Sequence, residues 1–226
     1  MPSTRLKSDV FGTVDLVTGS RDGEGSRDGE PQPLVRRDTT PSRWWARWLA
    51  RHLARREARA LRALAGTTGV PLLLSYERGV LLRQWIDGEP MHRARPRDPA
   101  YFRAGLKLLR RLHRARVAHN DLAKEPNWLV TPARAPALVD FQLALVSRRR
   151  GRFFRMLAHD DIRHLLKHKR TYCPERLTRR ELAILARPSP LARVWMATGK
   201  KVYLFVTRRL LGWADREGAG DRRSDN

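Results

Sequence analysis

The chain has 226 residues, of which 41% are hydrophobic. This composition excludes wholesale disorder and allows one sizeable domain or two small lobes that share a core. The formal net charge is +24, nearly all from Arg because Lys occurs at seven positions, so the surface suits polyanions such as nucleic acid, anionic lipid or nucleotide phosphates. A genome rich in Arg codons explains the charge equally well, because Arg is dispersed along the whole chain.

Cysteine usage and hydropathy bear on the compartment. Cys173 is the only cysteine, which excludes an internal disulfide and favours a reducing compartment. No apolar run has the length of a signal peptide or of a membrane span, about 20 residues. The sequence therefore predicts a cytoplasmic protein, with peripheral contact at the cytoplasmic face of the inner membrane left open.

The N-terminal region is predicted to form strands. Asp9 to Val17 alternates with the two-residue period of a strand, and Pro33 to Asp38 is a second candidate. Between them a glycine-rich, charged hexad, Gly19 to Glu24, is repeated unchanged as Gly25 to Glu30. Because this stretch has no apolar residue to pack, residues 19–30 are predicted to be a flexible hairpin loop.

A long helix is predicted next, from a start near Thr40 and Ser42 to a stop at Gly66. Glu57 falls in the middle of its apolar face, which holds Leu49, Leu53, Leu61 and Leu64. A carboxylate on a buried face is costly unless a cation meets it, so Glu57 predicts an Arg or Lys partner from another element. A slight rotation of the helix, with Glu57 paired to an Arg of its own helix, is an equally good interpretation.

Two further strands, Pro71 to Tyr76 and Val80 to Ile86, are predicted before a helix that contains Phe102, Leu106, Leu109 and His113 on one side. Strands thus dominate the first part of the chain and helices the last part. This segregation predicts an α+β fold with two lobes, divided at residue 86. We expect residues 87–213 to form the second lobe and residues 214–226 to be a disordered tail.

Three polar residues lie beside short apolar segments in the stretch from His119 to Ala144. Asn127 precedes the predicted strand 128–130, and Asp140 follows the predicted strand 137–139. A hairpin of these strands would bring Asn127 close to Asp140, with Asp121 on the loop that leads in. An amide oxygen and a carboxylate suit Mg²⁺, and a second carboxylate can orient an attacking hydroxyl. These groups are typical of phosphoryl transfer.

The stretches HNDLAKEPNWLV and LVDFQLA resemble the catalytic loop and the metal-binding loop of the protein-kinase-like superfamily. LLRRLHRARVAHND is similar to the helix that leads into the catalytic loop, and LLRQWIDGEP is similar to the strand and hinge between the lobes. The closest resemblance is to small bacterial kinases, namely the lipopolysaccharide core (Kdo and heptose) kinases, and to RIO-type atypical serine/threonine kinases. It covers most of residues 9–170 and implies a two-lobed kinase-like fold.

The resemblance implies a role for each matching residue. Asp121 would be the catalytic residue that orients the acceptor hydroxyl, and Asn127 and Asp140 would bind Mg²⁺. His119 would support the metal-binding loop. Glu57 would pair with the strand cation that binds the phosphates of ATP.

The sequence departs from the family pattern at four places. Asn127 lies six residues after Asp121, one more than is usual, and Gln142 stands where the metal-binding loop has glycine. No Lys occurs in the strand from Pro33 to Asp38, so Arg36 or Arg37 would replace the phosphate-binding Lys. Gly12 is the only trace of a glycine-rich phosphate loop.

Further residues have two interpretations each. Lys124 either neutralises the transferred phosphoryl group or is a solvated loop residue. Asp161, with Asp160 as the second choice, resembles the family's helix Asp that braces the catalytic loop. Asp160, His164 and His168 also have a helical spacing that metal ligands can adopt, although core packing of the helix explains it better. Residues 147–156 would form a substrate segment, or a solvated loop.

The basic, amphipathic stretch from Val194 to Trp213 is predicted either to close the C-terminal lobe or to lie on an anionic membrane. The prediction for function is an ATP- and Mg²⁺-dependent kinase acting on a hydroxyl of a lipopolysaccharide or glycolipid sugar, or on a protein Ser or Thr. The alternative is a pseudokinase-type scaffold that binds nucleotide without turnover. A nucleic-acid-binding protein is disfavoured because charge is its only support.

Overall fold

A computed structural model of the chain describes residues 3–19 and 32–187. The chain divides into two compact units, one that ends at Arg176 and one that begins at Leu177. The described part of the second unit holds one helix, whose start is capped by Thr178 and Glu181. The predicted loop beyond Gly19, the amphipathic stretch 194–213 and the tail 214–226 lie outside the described residues.

The first part of the chain forms an antiparallel sheet and one long helix. The sheet has the strand order β1-β2-β3-β5-β4. Its strands are β1 Ser3–Asp9, β2 Gly12–Gly19, β3 Gln32–Asp38, β4 Leu73–Glu77 and β5 Val80–Gln84. Helix α1, Arg47–Ala63, connects β3 to β4.

The strand predicted from Asp9 to Val17 is present from Gly12 onward as part of β2, but its start is wrong because a tight turn follows Asp9. Asp9 pairs with Gly12, so Val10 and Phe11 form the tip of a hairpin between β1 and β2. Gly12 has a φ of 125°, and a Cβ there would overlap the carbonyl group of Asp38. The turn therefore needs a glycine at this position.

Helices and short strands make up the rest of the described chain. In chain order these elements are β6 Glu89–Pro90, α2 Met91–Ala94, α3 Pro99–Arg114, β7 Val117–Ala118, β8 Trp128–Val130, β9 Pro136–Leu138, β10 Leu145–Val146, α4 Arg152–Tyr172 and α5 Arg179–Ala186. Strands β8 and β9 form the predicted antiparallel hairpin, in which Trp128 pairs with Leu138. The predicted segregation into a strand-rich and a helix-rich part is present, as an α+β fold requires.

The hydrophobic core lies beneath this hairpin. It includes Leu109 and Leu112 of α3, Leu165 of α4, Trp128 of β8 and Phe141 after β9. Asp98 caps α3 by accepting a hydrogen bond from the backbone N–H of Ala100 at 2.7 Å. The core therefore fixes the two loops that flank the hairpin.

Helix α1 is rotated from the prediction over its first half. Leu61 is buried, but Leu49 is 39% exposed, and the buried positions there are Ala50 and Ala54. Alanine side chains are short, so the helix can approach its neighbours closely on that side. The larger apolar side chains at the start of the helix are consequently turned outward.

The segment 147–156, predicted to be a substrate segment or a solvated loop, is a loop only in its first half. Helix α4 begins at Arg152, and Phe154 is buried with its ring against that of His113, at 6.3 Å between centroids. Phe153 is 58% exposed. A helix amphipathic in this way packs one Phe and exposes the other, which leaves residues 147–151 as the connecting loop.

No helix among the described residues has the length and apolarity to cross a membrane.

Candidate active site

The loop after β7 is held by a carboxylate of helix α4. Asp161, which is 1% exposed, accepts hydrogen bonds at 2.9 Å from the backbone N–H groups of both His119 and Asn120. The Nε2 atom of His113 lies 3.1 Å from the same carboxylate. Asn120 has a φ of 63°, so the loop turns sharply here, and the Asp161 contacts hold it in that conformation.

His119 joins this loop to the segment after β9. Its side chain is fully buried, and Nε2 lies 3.0 Å from the carbonyl oxygen of Val139. Its ring centroid is 4.5 Å from that of Phe141. A short hydrogen bond to a carbonyl places the proton on Nε2, and the contact fixes the residue before Asp140.

Asp121, Lys124 and Asn127 are brought together by a single turn of 3₁₀ helix. The turn spans Glu125–Asn127 and contains Pro126, and it takes up the extra residue between Asp121 and Asn127. The Asn127 Nδ2 atom donates to the Asp121 backbone oxygen at 2.8 Å and to Asp121 Oδ2 at 3.0 Å. Lys124 Nζ lies 3.2 Å from Asp121 Oδ2. The orientation of the Asp121 carboxylate is therefore fixed through one of its oxygens.

The hairpin of β8 and β9 places Asp140 beside Asn127. The Val139 N–H donates to the Asn127 carbonyl oxygen at 3.1 Å, which continues the register of the hairpin by one pair. Asp140 itself has a left-handed backbone with a φ of 63°. Gln142, in place of the usual glycine, donates from Nε2 to Asp140 Oδ1 at 2.7 Å. The glutamine thus fixes the rotamer of the carboxylate.

The Asp140 carboxyl group is held in its charged form. Burial would raise its pKa, but Arg37, the amide of Gln142, His119 and Lys124 together lower the pKa below the ordinary value. The Nδ2 atom of Asn127 already donates to Asp121. The side-chain oxygen of Asn127 is therefore left as the electron-pair donor beside the ionised Asp140 carboxylate. These two oxygen donors fit Mg²⁺, which takes few protein ligands and completes its shell with water and phosphate.

Glu57 of α1 lies between two arginines from the sheet. It is fully buried, with Oε2 at 3.3 Å from Arg37 Nε and Oε1 at 3.2 Å from Arg83 Nε. The N–H groups are not aligned on these oxygens, so both contacts are ion pairs rather than directed hydrogen bonds. Arg36 instead pairs with Asp38 at 2.8 Å. Of the two predicted stand-ins for the phosphate-binding Lys, only Arg37 faces Glu57.

Arg83 was not identified from the sequence. It lies on β5 opposite Val35 of β3, and its side chain is 11% exposed. Burial lowers the pKa of Arg83, Glu57 raises it, Arg37 lowers it and Asp140 raises it, with a net lowering. The buried Arg83 and the half-buried Arg37 therefore share one carboxylate, and both lie within electrostatic range of Asp140.

Arg56 was also missed, although it is adjacent to Glu57 in the sequence. Its guanidinium donates to the carbonyl oxygens of Leu143 at 2.9 Å and of Ala144 at 3.1 Å. Helix α1 is thereby attached to the segment after Asp140. Only the sequence adjacency to Glu57 could have indicated it, because its partners are backbone atoms with no sequence signal.

Two other residues that the sequence singled out have roles in holding the fold. Gly12 is required by the hairpin turn against Asp38, so its place in a phosphate loop stays a prediction. His168 Nε2 lies 2.8 Å from the Leu122 carbonyl oxygen, which uses this histidine to hold the loop after Asp121. Within the described ranges, no group of three or more His, Cys, Asp and Glu side chains could hold a metal.

An open cavity of about 610 Å³ lies away from these residues. Its lining comes from residues 87–90, 93–94, 130–132 and 134 and includes none of Asp121, Asn127 and Asp140. It is lined by charged side chains of its own but lacks the carboxylate and amide groups of Asp121, Asn127 and Asp140. We therefore locate the candidate site by its polar groups and not by cavity size.

Comparisons with known proteins agree with this geometry. The RIO domain matches residues 32–184 of the chain. In three dimensions the chain is similar to a crystal structure of the Rio2 kinase from Chaetomium thermophilum, a complex with ADP, Mg²⁺ and phosphoaspartate, with a TM-score of 0.57 and 15% sequence identity. The match covers 84% of this chain and 59% of that one, so the chain spans less than two thirds of the similar protein. No curated protein matches the chain in sequence.

These matches confirm the predicted two-lobed, kinase-like fold and the predicted resemblance to the RIO-type kinases. The RIO domain accounts for β3, α1 and the loops that carry Asp121, Asn127 and Asp140. By fold and by sequence pattern, the chain belongs to the RIO-domain family.

Proposed function

We propose that the chain is an ATP- and Mg²⁺-dependent phosphotransferase that transfers the γ-phosphoryl group to an alcohol hydroxyl. The observation that carries this proposal is the position of Asn127, which bonds to Asp121 through its side chain and to the residue before Asp140 through its backbone. One residue thus links the proposed base to the proposed metal ligand. In the proposed division, residues 1–86 bind the nucleotide and residues 87–213 supply the catalytic groups.

Asp121 accepts or orients the acceptor hydroxyl in this proposal. The contacts from Asn127 and from Lys124 both involve Oδ2, which supports Oδ1 as the atom that would receive the hydroxyl. Lys124 offsets the charge on the transferred phosphoryl group. When bound at Asn127 and Asp140, Mg²⁺ would neutralise charge on the nucleotide phosphates. His119 and Asp161 position the loop without contact to the reacting atoms.

Arg37 binds the nucleotide phosphates, and Arg83 makes this arrangement stable. If Arg37 were the only partner of Glu57, its move toward a phosphate would leave a fully buried carboxylate without a cation. Because Arg83 also pairs with Glu57, that carboxylate stays compensated while Arg37 binds the anion. Arg can hold phosphate through two parallel N–H groups, which suits this role. Gly12 remains a candidate backbone contact.

The acceptor is a hydroxyl of a glycolipid sugar or of a protein Ser or Thr. The net charge of +24 favours an acceptor that already carries negative charge, as lipopolysaccharide sugars do. We further propose that the protein works in the cytoplasm, at the inner face of the membrane. The alternative is a scaffold that binds nucleotide without turnover, which the replacement of the usual Lys by Arg37 favours.

The test is the identity of the labelled product. The purified chain would be incubated with γ-labelled ATP and Mg²⁺ together with a glycolipid fraction or a protein extract. We expect label to be transferred to one acceptor. The rate of transfer should be about 10²–10⁴-fold lower in Asp121→Asn and unchanged in Glu77→Gln, a control at an exposed position. Label on the chain itself that alkaline hydroxylamine releases would indicate an acyl phosphate instead, the chemistry that the Rio2 complex contains.

A scaffold gives a different pattern. It would show a thermal shift with ATP and Mg²⁺ and no label in either fraction. Equal transfer by Asp121→Asn and wild type would contradict the catalytic assignment itself.

A further inference from the structure

The start of helix α1 exposes an unusual group of large apolar side chains. Trp44 is 84% exposed, Trp48 76%, Trp45 45% and Leu49 39%. We call these four residues the Trp patch. Tryptophan is highly buried on average, and contiguous exposed apolar surface of this kind marks an interaction site rather than chance exposure.

Helical geometry places the Trp patch on the side away from the protein. Residues 44–46 form a turn that leads directly into α1, and the Arg43 carbonyl oxygen accepts from the Arg47 N–H at 2.9 Å. Trp44 and Trp48, and likewise Trp45 and Leu49, are four residues apart and therefore lie above one another. The opposite side packs inward through small residues, namely Ala46, Ala50 and Ala54. The sequence thus uses alanine on the buried side and tryptophan on the exposed side.

Arginines flank the patch. Arg43, Arg47, Arg51 and Arg55 are all exposed and follow one another at steps of four residues. The only acidic residue of α1 is Glu57, which is buried with two arginine partners. A stripe of guanidinium groups therefore runs beside the tryptophans without a carboxylate on the same helix surface.

The β4–β5 turn adds one charge of each sign beside this stripe. Thr39 Oγ1 donates to the Gly79 carbonyl oxygen at 2.8 Å, which holds the turn against the start of the helix. The turn exposes Arg78 and Glu77. Their charges cancel, so the surface stays strongly positive through the four arginines of the helix.

We propose that the Trp patch and its arginine stripe bind the surface of an anionic lipid bilayer. Indole rings lie at the level of lipid headgroups, Leu49 reaches the acyl boundary, and arginines bind lipid phosphates while their stems lie along the apolar layer. Side chains exposed by 76–84% stand clear of the protein, as a flat partner requires. Single-stranded nucleic acid, in contrast, is bound in grooves that enclose its bases.

The proposal does not depend on the proposed kinase activity, and it has its own assay. The full chain would be sedimented with phosphatidylcholine vesicles that contain phosphatidylglycerol, and with pure phosphatidylcholine vesicles as the neutral comparison. We expect binding to the anionic vesicles alone. Trp44→Ser/Trp48→Ser should reduce this binding by at least about tenfold, and Arg47→Gln/Arg51→Gln by about fivefold per charge.

Matched controls separate the patch from general charge and apolarity. Arg103→Gln/Arg110→Gln removes two exposed arginines from α3, and Leu6→Ser removes an exposed leucine from β1. Both should bind vesicles like the wild type, and all variants should keep the wild-type melting temperature within a few degrees, because the changed side chains are exposed.

Three results would overturn the proposal. The wild type could fail to bind anionic vesicles, or the patch variants could bind as well as the wild type. In the third, the patch variants would lose affinity for a single-stranded oligonucleotide but keep their affinity for vesicles, which would assign the surface to nucleic acid.

Discussion

Because Glu57 pairs with two arginines, we expect that removing one of them raises the stability of a variant that lacks the Glu57 charge. A simple count of lost contacts would predict the opposite. Glu57→Gln removes the charge between Arg37 and Arg83, which leaves one half-buried and one buried guanidinium group facing a neutral amide. Breaking a buried ion pair in this way costs about 3–5 kcal/mol in the free energy of unfolding. Adding Arg83→Met to this variant removes the more buried of the two cations and puts an apolar side chain of similar length in its place.

We therefore expect the double variant Glu57→Gln/Arg83→Met to be more stable than Glu57→Gln alone, by about 1–2 kcal/mol. With a urea m-value of about 2 kcal/mol/M, the Glu57→Gln midpoint should fall by about 1.5–2.5 M and recover by about 0.5–1 M in the double variant. Urea unfolding followed by circular dichroism measures both. Arg103→Met, at an exposed position of α3, is the control and should be neutral.

A double variant less stable than Glu57→Gln would contradict this expectation. It would mean that Arg83 contributes through packing or through Asp140 independently of Glu57.

Three further changes test other contacts of the site. Gln142→Gly removes the bond to Asp140, so the pKa of Asp140 should rise and more Mg²⁺ should be needed for the same ATP-dependent thermal shift; an unchanged requirement would contradict this. Asp161→Asn leaves a backbone N–H of the catalytic loop without its acceptor and should cost about 1–3 kcal/mol in urea unfolding, whereas a neutral effect would remove its bracing role. Burial lowers the pKa of His164 to about 4. Between pH 6.5 and 4 the unfolded chain therefore binds more protons than the folded chain, and the free energy of unfolding should decrease by up to about 3 kcal/mol as the pH is lowered through this window. If His164→Gln lost as much stability over the same pH range as the wild type, His164 would not be the group responsible.

The sequence was sufficient for features that depend on local pattern. Asp121, Asn127 and Asp140 lie beside short apolar strands, and the spacing of these strands predicted the hairpin that brings Asn127 and Asp140 together. Glu57 on an apolar helix face predicted a cationic partner, either from another element or from its own helix, and the structure shows two from the sheet. Such signals are readable because a buried charge on a helix, or a polar residue at the end of a strand, has few physical explanations.

The sequence was insufficient where the three-dimensional partner decides. Nothing in the sequence distinguishes Arg83 from the many other arginines of the chain. Only the pairing of β3 with β5 places it near Glu57. Arg56 donates to backbone carbonyl oxygens, and no pattern of side chains in the sequence indicates such contacts. Leu49 was assigned to the buried side because leucine is apolar, whereas close helix packing there selected Ala50 and Ala54.

The central claim is that Asp121 assists phosphoryl transfer from a bound nucleotide. The most direct measurement is a single-turnover experiment with excess protein, Mg²⁺, the identified acceptor and γ-labelled ATP, in wild type and in Asp121→Asn. We expect label transfer in the wild type and a rate at least about 10²-fold lower in the variant, with ATP binding retained in both. Equal rates in the two proteins, or ATP binding with no transfer in the wild type, would contradict it.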